Sequence, residues 1–308
     1  MNQACISQNT NLYEQNQHAF PIAIGSIQPT KNNFVRMKRI VFFSTIIVLF
    51  LGLCSCKKDE KTAEKPVKDG TIVRFVLNGN SPVQELTYTN DGRISEMIES
   101  FSYKKYRYNS QHQLEKLELA YSISPFSCAM PQGGAIREGD DPRKAKVTQY
   151  FEFNYTGGKL EKSSSFYIVD NNPKLYSYQT YHYRNDTITK ISVYNPDGLL
   201  MNYQTFTIVN GNVMRDDSYI VENGINVRLI YSNEYEYDTK NNPYQVFACE
   251  GTPGVNTNKN NIIKQTMIYY NQGAETRSVI ETSYEYNAYG YPSTAGELDF
   301  LYIKPTTE

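Results

Sequence analysis

From about residue 71 to residue 303, apolar and polar positions alternate with period two, interrupted at short intervals by Asn, Asp, Gly and Pro. Phe151–Lys162 carries the unit most fully. Phe151, Phe153 and Tyr155 fall on one face, with Glu152 and Asn154 on the other, as a half-buried strand requires. Thr156-Gly157-Gly158 then offers residues that accept positive φ, and a return run begins at Leu160. Further copies stand at Tyr106-Arg107-Tyr108, Tyr181-His182-Tyr183, Tyr235-Glu236-Tyr237, Ile268-Tyr269-Tyr270 and Tyr284-Glu285-Tyr286. Their spacing is uneven, so the pattern is a degenerate hairpin repeat and not a strict solenoid.

Turn signals at Asn78-Gly79-Asn80, Asn90-Asp91-Gly92, Asn171-Asn172-Pro173, Asn195–Gly198, Asn210-Gly211, Asn223-Gly224 and Asn271–Gly273 divide the chain into about fifteen strands. No helical periodicity of useful length follows Leu53. Tight turns make successive strands antiparallel neighbours. The fold expected is therefore all-β: an up-and-down meander curled into an open or partly closed barrel, since a sheet this wide must curl, split or close.

Two connections break the rhythm. Ser122–Lys144 holds Pro125, Pro131, Gly133-Gly134, Glu138, Asp140-Asp141 and Pro142, and Glu250–Asn260 holds Gly251, Pro253 and Gly254. Eight runs counted between them place both loops at one end of the meander. Cys128 in the first and Cys249 beside the second then form the candidate disulfide of an oxidising envelope.

The N-terminal part has a different character. Residues 1–36 are polar and aperiodic, and read as an over-long extension without structure of its own. Residues 37–55 read as a lipoprotein signal peptide: Met37-Lys38-Arg39 leads into the apolar run Ile40–Leu53, short for a membrane span. The run ends at Leu53-Cys54-Ser55-Cys56, which resembles a bacterial lipobox. By that resemblance Cys56 carries the lipid. Cys54 is the competing site, with Leu53 in a position where a small side chain is usual. Lys57-Lys58-Asp59-Glu60 resembles the surface-export signal of Bacteroidetes lipoproteins, the alternative being a plain solvated charge run. Residues 56–70 thus form a lipidated cysteine and a charged, flexible tether, and residues 71–308 the β domain.

Composition narrows the chemistry. The 308 residues carry a formal net charge of −1, which leaves no field to attract nucleic acid. There are 27 Tyr and no Trp, and Tyr suits strands whose faces are only partly buried. Five Cys and three His leave little for a transition-metal site, and neither a metal nor a cofactor is expected. No nucleophile elbow, HExxH, Walker or dinucleotide-binding motif is present. His112 falls in a turn, and His182 lies on the face opposite its flanking tyrosines, a solvated sheet position. Glu138-Gly139-Asp140-Asp141 lacks the ligand spacing of an EF-hand. Asp186-Thr187-Ile188 resembles the O-glycosylation motif of exported Bacteroidetes proteins, with Thr187 as acceptor. A lipid-facing barrel is disfavoured: Gln113–Tyr121 places Lys116 and Glu118 on one face and Glu115 on the other.

The unit Tyr-x-Tyr-Asn/Asp-turn-Leu/Ile, carried best by Asn90–Ile94 and Asn109–Leu114, resembles the YD repeat of RHS-type β-shell proteins. From Thr71 to Ile303 the chain is also similar to uncharacterised Bacteroidetes lipoproteins with a porin-like, open β-barrel domain. That resemblance implies a fold and an outer-membrane location, and assigns no catalytic residue. The function expected is a non-catalytic surface module that binds a glycan or protein or serves structurally. The alternative is a polysaccharide-active enzyme with paired carboxylates on the sheet.

Overall fold

A computed structural model describes residues 66–99, 102–121, 141–222, 224–271 and 273–303. They form one antiparallel sheet of seventeen strands. In chain order these are β1 (Ile72–Asn78), β2 (Ser81–Tyr88), β3 (Ile94–Glu99), β4 (Ser102–Tyr108), β5 (Leu114–Tyr121), β6 (Gln149–Thr156), β7 (Lys159–Val169), β8 (Asn172–Arg184) and β9 (Thr187–Tyr194). They continue as β10 (Leu200–Val209), β11 (Asn212–Glu222), β12 (Asn226–Tyr237), β13 (Ile262–Asn271), β14 (Ala274–Glu281), β15 (Tyr284–Tyr286), β16 (Pro292–Ala295) and β17 (Leu298–Ile303). Each pairs with its successor from β1 to β14, and β15, β16 and β17 do likewise. The last strand returns to the first, Ile72 opposite Ile303 and Asn78 opposite Leu298. No register pair joins β14 to β15, so the curled sheet stays open there along part of its height. The meander is the one the alternation predicts, with two more strands.

The turns are the predicted ones in their chemistry. Gly157 and Gly158 (φ 59° and 83°) make the two-residue turn between Thr156 and Lys159, with the positive φ at both positions that matches strand twist. Asp170 and Asn171 (φ 51° and 62°) do the same, one residue earlier than predicted, because Pro173 is already paired in β8 opposite Ile168.

Two expectations need correction. The eighth run between the long loops, Pro243–Glu250, is a 3₁₀ helix and not a strand. Its signals are local: Asn242 caps it by accepting from the Tyr244 N–H, Pro243 opens it, and Gly251 ends it at φ 80°. Seven strands, β6 to β12, therefore follow β5, and an odd count puts the end of β5 and the β12–β13 connection at opposite ends of the sheet. Cys128 lies outside the described residues, and Cys249 is a free thiol. The second correction concerns strand faces. A register shift follows Leu114 and another follows Leu160, so alternation skips one residue there. Glu115 and Glu161 are exposed by these bulges, and the inward series runs Leu114, Leu117, Leu119.

The same shift recurs after Ile94, Ile188, Val213, Ile262 and Pro292, always at the end of the sheet where the β12–β13 connection lies. That end is filled. The core gathers Leu86, Ile94, Tyr106, Leu114, Phe153, Leu160, Tyr181, Val213, Phe300 and Tyr302 with Phe247 of the 3₁₀ helix. Phe247 packs on Tyr106 (6.5 Å between centroids) and Tyr244 meets Phe300 edge-on (6.0 Å). The connection is pinned around the rim by Asn241 N–H to Gly290 O (2.9 Å), Lys259 N–H to Gly211 O (3.0 Å) and Val213 N–H to Asn258 Oδ1 (2.8 Å). It is a plug made from the chain itself.

Candidate binding face

The tyrosines divide into three groups with different work. At the plugged end, each of six reaches across to a carbonyl that opens, or nearly opens, a neighbouring strand. Tyr88 bonds Val73 O (2.5 Å), Tyr108 bonds Ile94 O (2.8 Å), Tyr183 bonds Leu160 O (2.9 Å) and Tyr284 bonds Ile262 O (2.9 Å). Tyr237 likewise bonds Val213 O and Tyr302 bonds Pro292 O, and Tyr155 meets the Leu114 backbone. In β10 the corresponding position is Ile208, which has no hydroxyl to give. This is the physical content of the hairpin repeat: one copy's Tyr closes on the Leu or Ile of the strand beside it. Burial pushes the phenols up, Tyr155 and Tyr284 to about 12. Cys249 sits among them, its Sγ 3.7 Å from Tyr108 Oη, and burial raises its thiol to about 11. A thiol held protonated in this way is a poor nucleophile.

The second group lies on the outer face as cross-strand stacks, each capped by a lysine. Lys116 lies 3.9 Å from the Tyr150 ring, which stacks on Phe166 (4.9 Å). Lys162 caps Tyr178, stacked on Tyr194 (5.0 Å), and Lys190 caps Tyr203, stacked on Tyr219 (4.6 Å). Each capped ring has one face on its partner and the other under an ammonium, so neither is free to stack on a sugar. Ion pairs flank the stacks: Arg107–Glu118 (2.9 Å) on one side, Arg215–Glu234 (2.6 Å) and Lys264–Glu236 (2.7 Å) on the other.

The third group belongs to the inner face of β10–β13, bordering the plug: Phe206, opposite Asp216, is part of the core, and Tyr235 packs against it. Asp216 is only 4% exposed and is surrounded by neutral donors. Gln204 Nε2 (2.9 Å) and Asn233 Nδ2 (3.0 Å) donate to Oδ1, and Tyr235 Oη (2.7 Å) donates to Oδ2. Gln265 Nε2 in turn donates to Asn233 Oδ1 (3.0 Å). Burial, partly offset by these three bonds, holds the Asp216 carboxyl above the usual range. The result is a row of oriented amides across four strands, about 14 Å wide at the usual interstrand spacing. Ser218, beside Asp216 on the same face, is equally buried, and its hydroxyl has no partner among the described residues. Tyr269 stands next to the row, 6.4 Å from Tyr231, and is 43% exposed. Oriented amides beside a half-open aromatic ring suit a ligand rich in hydroxyls.

The other sequence candidates fall elsewhere. Cys56, Lys57, Lys58, Asp59, Glu60, Glu138 and Asp140 lie outside the described residues. Thr187 is exposed at the start of β9, beside the Lys159–Asp186 ion pair (2.9 Å). His182 sits on the outer face against Ser192 (3.2 Å), and His112 occupies a turn at φ 65° near Asp91 (3.5 Å). Asp141 accepts from the Arg143 N–H (3.1 Å) in a helical cap. No cluster of three metal-ligating side chains occurs among the described residues. The inner polar row itself was not singled out from the sequence; its signal is polar residues holding inward positions where the repeat elsewhere places aromatics.

No family model matches the chain, and no curated protein matches it. Among solved structures, it is similar to a porin-like protein from Bacteroides vulgatus (15% identity, 76% of this chain and 99% of that one, TM-score 0.45). It is also similar to a porin-like protein from Bacteroides uniformis (11% identity, 75% and 91%, TM-score 0.38) and to a TcdB2–TccC3 structure (10% identity, 68% and 13%, TM-score 0.24).

Proposed function

We propose that this chain is a non-catalytic binding module of the outer-membrane surface, lipid-anchored at Cys56, that takes a glycan on the inner face of β10–β13. One observation carries the reading: Gln204, Asn233 and Gln265 are held in a fixed row around Asp216, next to a half-exposed Tyr269. Pre-oriented donors spare a ligand the entropy of ordering them. Outward ion pairs on β4–β5 and β11–β13 favour a domain standing in water on its tether over one embedded as a barrel, since lipid would strip those charges of solvent.

A glycan array probed with the intact chain and with Tyr269→Ala tests the binding site. Retention of at least one glycan class by the native chain, lost in the variant, supports it; equal retention by both, or none by either, refutes it. For the anchor, palmitate incorporation that disappears in Cys56→Ser is the expected result. Protease accessibility on intact cells, absent when Lys57–Glu60 are replaced by alanine, is expected of the export segment.

A further inference from the structure

Strand β14 is built unlike the rest. Its partner on one side is β13, matched through eight consecutive register pairs from Lys264–Glu281 to Asn271–Ala274 without a shift, whereas most other hairpins carry a bulge. All its residues are exposed, including Val279 (54%) and Ile280 (38%). The Thr282 N–H donates to Ile263 O (2.9 Å), which fixes the phase: Thr276, Ser278 and Ile280 direct their backbone groups at β13. Glu275, Arg277, Val279 and Glu281 therefore direct theirs outward, with no strand to receive them among the described residues. A regular edge without Pro, Gly, bulge or lysine is the kind that natural sheets avoid unless another strand covers it.

We propose that this edge pairs with β14 of a second copy, antiparallel about a two-fold axis at Thr276, independently of what the inner face binds. The register follows from charge and from one hydrogen bond. With the axis at Thr276, each Glu275 lies opposite the other chain's Arg277, so the pair within each strand (2.5 Å) gains an opposite-charge neighbour across the interface. An axis at Arg277 sets that charge against itself. An axis at Ser278 sets Glu275 against Glu281 twice. An axis at Val279 needs the Ser283 carbonyl, already taken by the Gly296 N–H (3.1 Å). Only the first register keeps opposite charges together and leaves its backbone groups available. An isologous contact of this type closes at two chains and continues the sheet from one molecule into the next.

The test is the mass of the intact chain by light scattering after gel filtration, with three variants. Arg277→Glu is expected to weaken the dimer at least about tenfold by setting like charges opposite, and Glu275→Arg with Arg277→Glu to restore it. In the proposed register the Thr276 Cα atoms form a non-hydrogen-bonded pair about 4.5 Å apart, close enough for a disulfide. T276C should therefore give a 276–276 linked peptide on mild oxidation, read by mass spectrometry. A native chain that runs at the mass of one copy at about 100 μM overturns the proposal. So does a dimer indifferent to Arg277→Glu, or one in which T276C does not cross-link; either result assigns the edge to another occupant.

Discussion

The two ends of the sheet's interior use the same strands to opposite effect. At the plugged end, inward positions hold Leu, Ile, Phe and Tyr, and Phe247 and Tyr244 come in from the β12–β13 connection to complete the packing. Just beyond it, on β10–β13, inward positions hold Gln204, Asp216, Ser218, Asn233 and Gln265, satisfied mainly by one another, with Phe206 and Tyr235 at the border. The hydroxyl of a tyrosine is the pivot. Where a neighbouring strand offers a carbonyl, the ring turns inward and seals the sheet; where the neighbours are amides, a carboxylate collects them and the face stays polar. Sealing one end leaves the other as the place where an outside molecule can meet oriented groups.

The sharpest way to break this contrast is to empty the plug. Phe247→Ala should cost about 3–5 kcal/mol, seen as a fall in the urea midpoint, because a ring 5% exposed leaves a cavity. Tyr269→Ala, on the open side, should change stability by under about 1 kcal/mol while removing binding. Next in size is Gly251→Ala, at about 1–3 kcal/mol by thermal melting: φ is 80°, and a Cβ there collides with Leu160. Tyr108→Phe keeps the ring and deletes the bond to Ile94 O, for about 1 kcal/mol, and three such changes in separate hairpins should add.

The remaining effects are in pH, and they run opposite to what a paired carboxylate gives. Tyr155 and Tyr284 are raised to about 12 from 10, so the stability they contribute is complete below pH 10 and is lost as pH climbs through 12. Phenolate absorbance should show exposed tyrosines ionising first and these only on unfolding. The Asp216 carboxyl is also raised, so the native state holds its proton longer than the unfolded chain does. Stability then declines as pH rises from the unfolded carboxyl value through the folded one, by about 1.4 kcal/mol per unit of elevation. Above the unfolded carboxyl value, the urea midpoint of the native chain should fall with pH relative to that of Asp216→Asn.

The sheet was legible because alternation and turn residues are local signals: Gly157-Gly158 and Asn210-Gly211 stand where the pattern puts them. The plug was not, although Asn242-Pro243 and Gly251 spell a capped helix, because an eight-residue run of apolar and polar residues also reads as a strand. Taken as a strand, that run makes the count between the long loops even and sets Cys128 and Cys249 at the same end. The bulges were visible as a spacing of three, Leu114 to Leu117 and Ile188 to Ile191, but their purpose is not. It depends on hydroxyl-to-carbonyl bonds between strands, which no single strand's sequence contains. The Asp216 row is hidden for the same reason: its members come from four strands and acquire meaning only in register.

The division into a sealed end and a receptive face is tested most directly by measuring glycan retention for Tyr269→Ala and Tyr108→Phe side by side. Tyr269→Ala is expected to lose retention at unchanged stability, and Tyr108→Phe to lose stability at unchanged retention. Retention abolished by Tyr108→Phe and untouched by Tyr269→Ala would place the ligand at the plugged end and contradict this division.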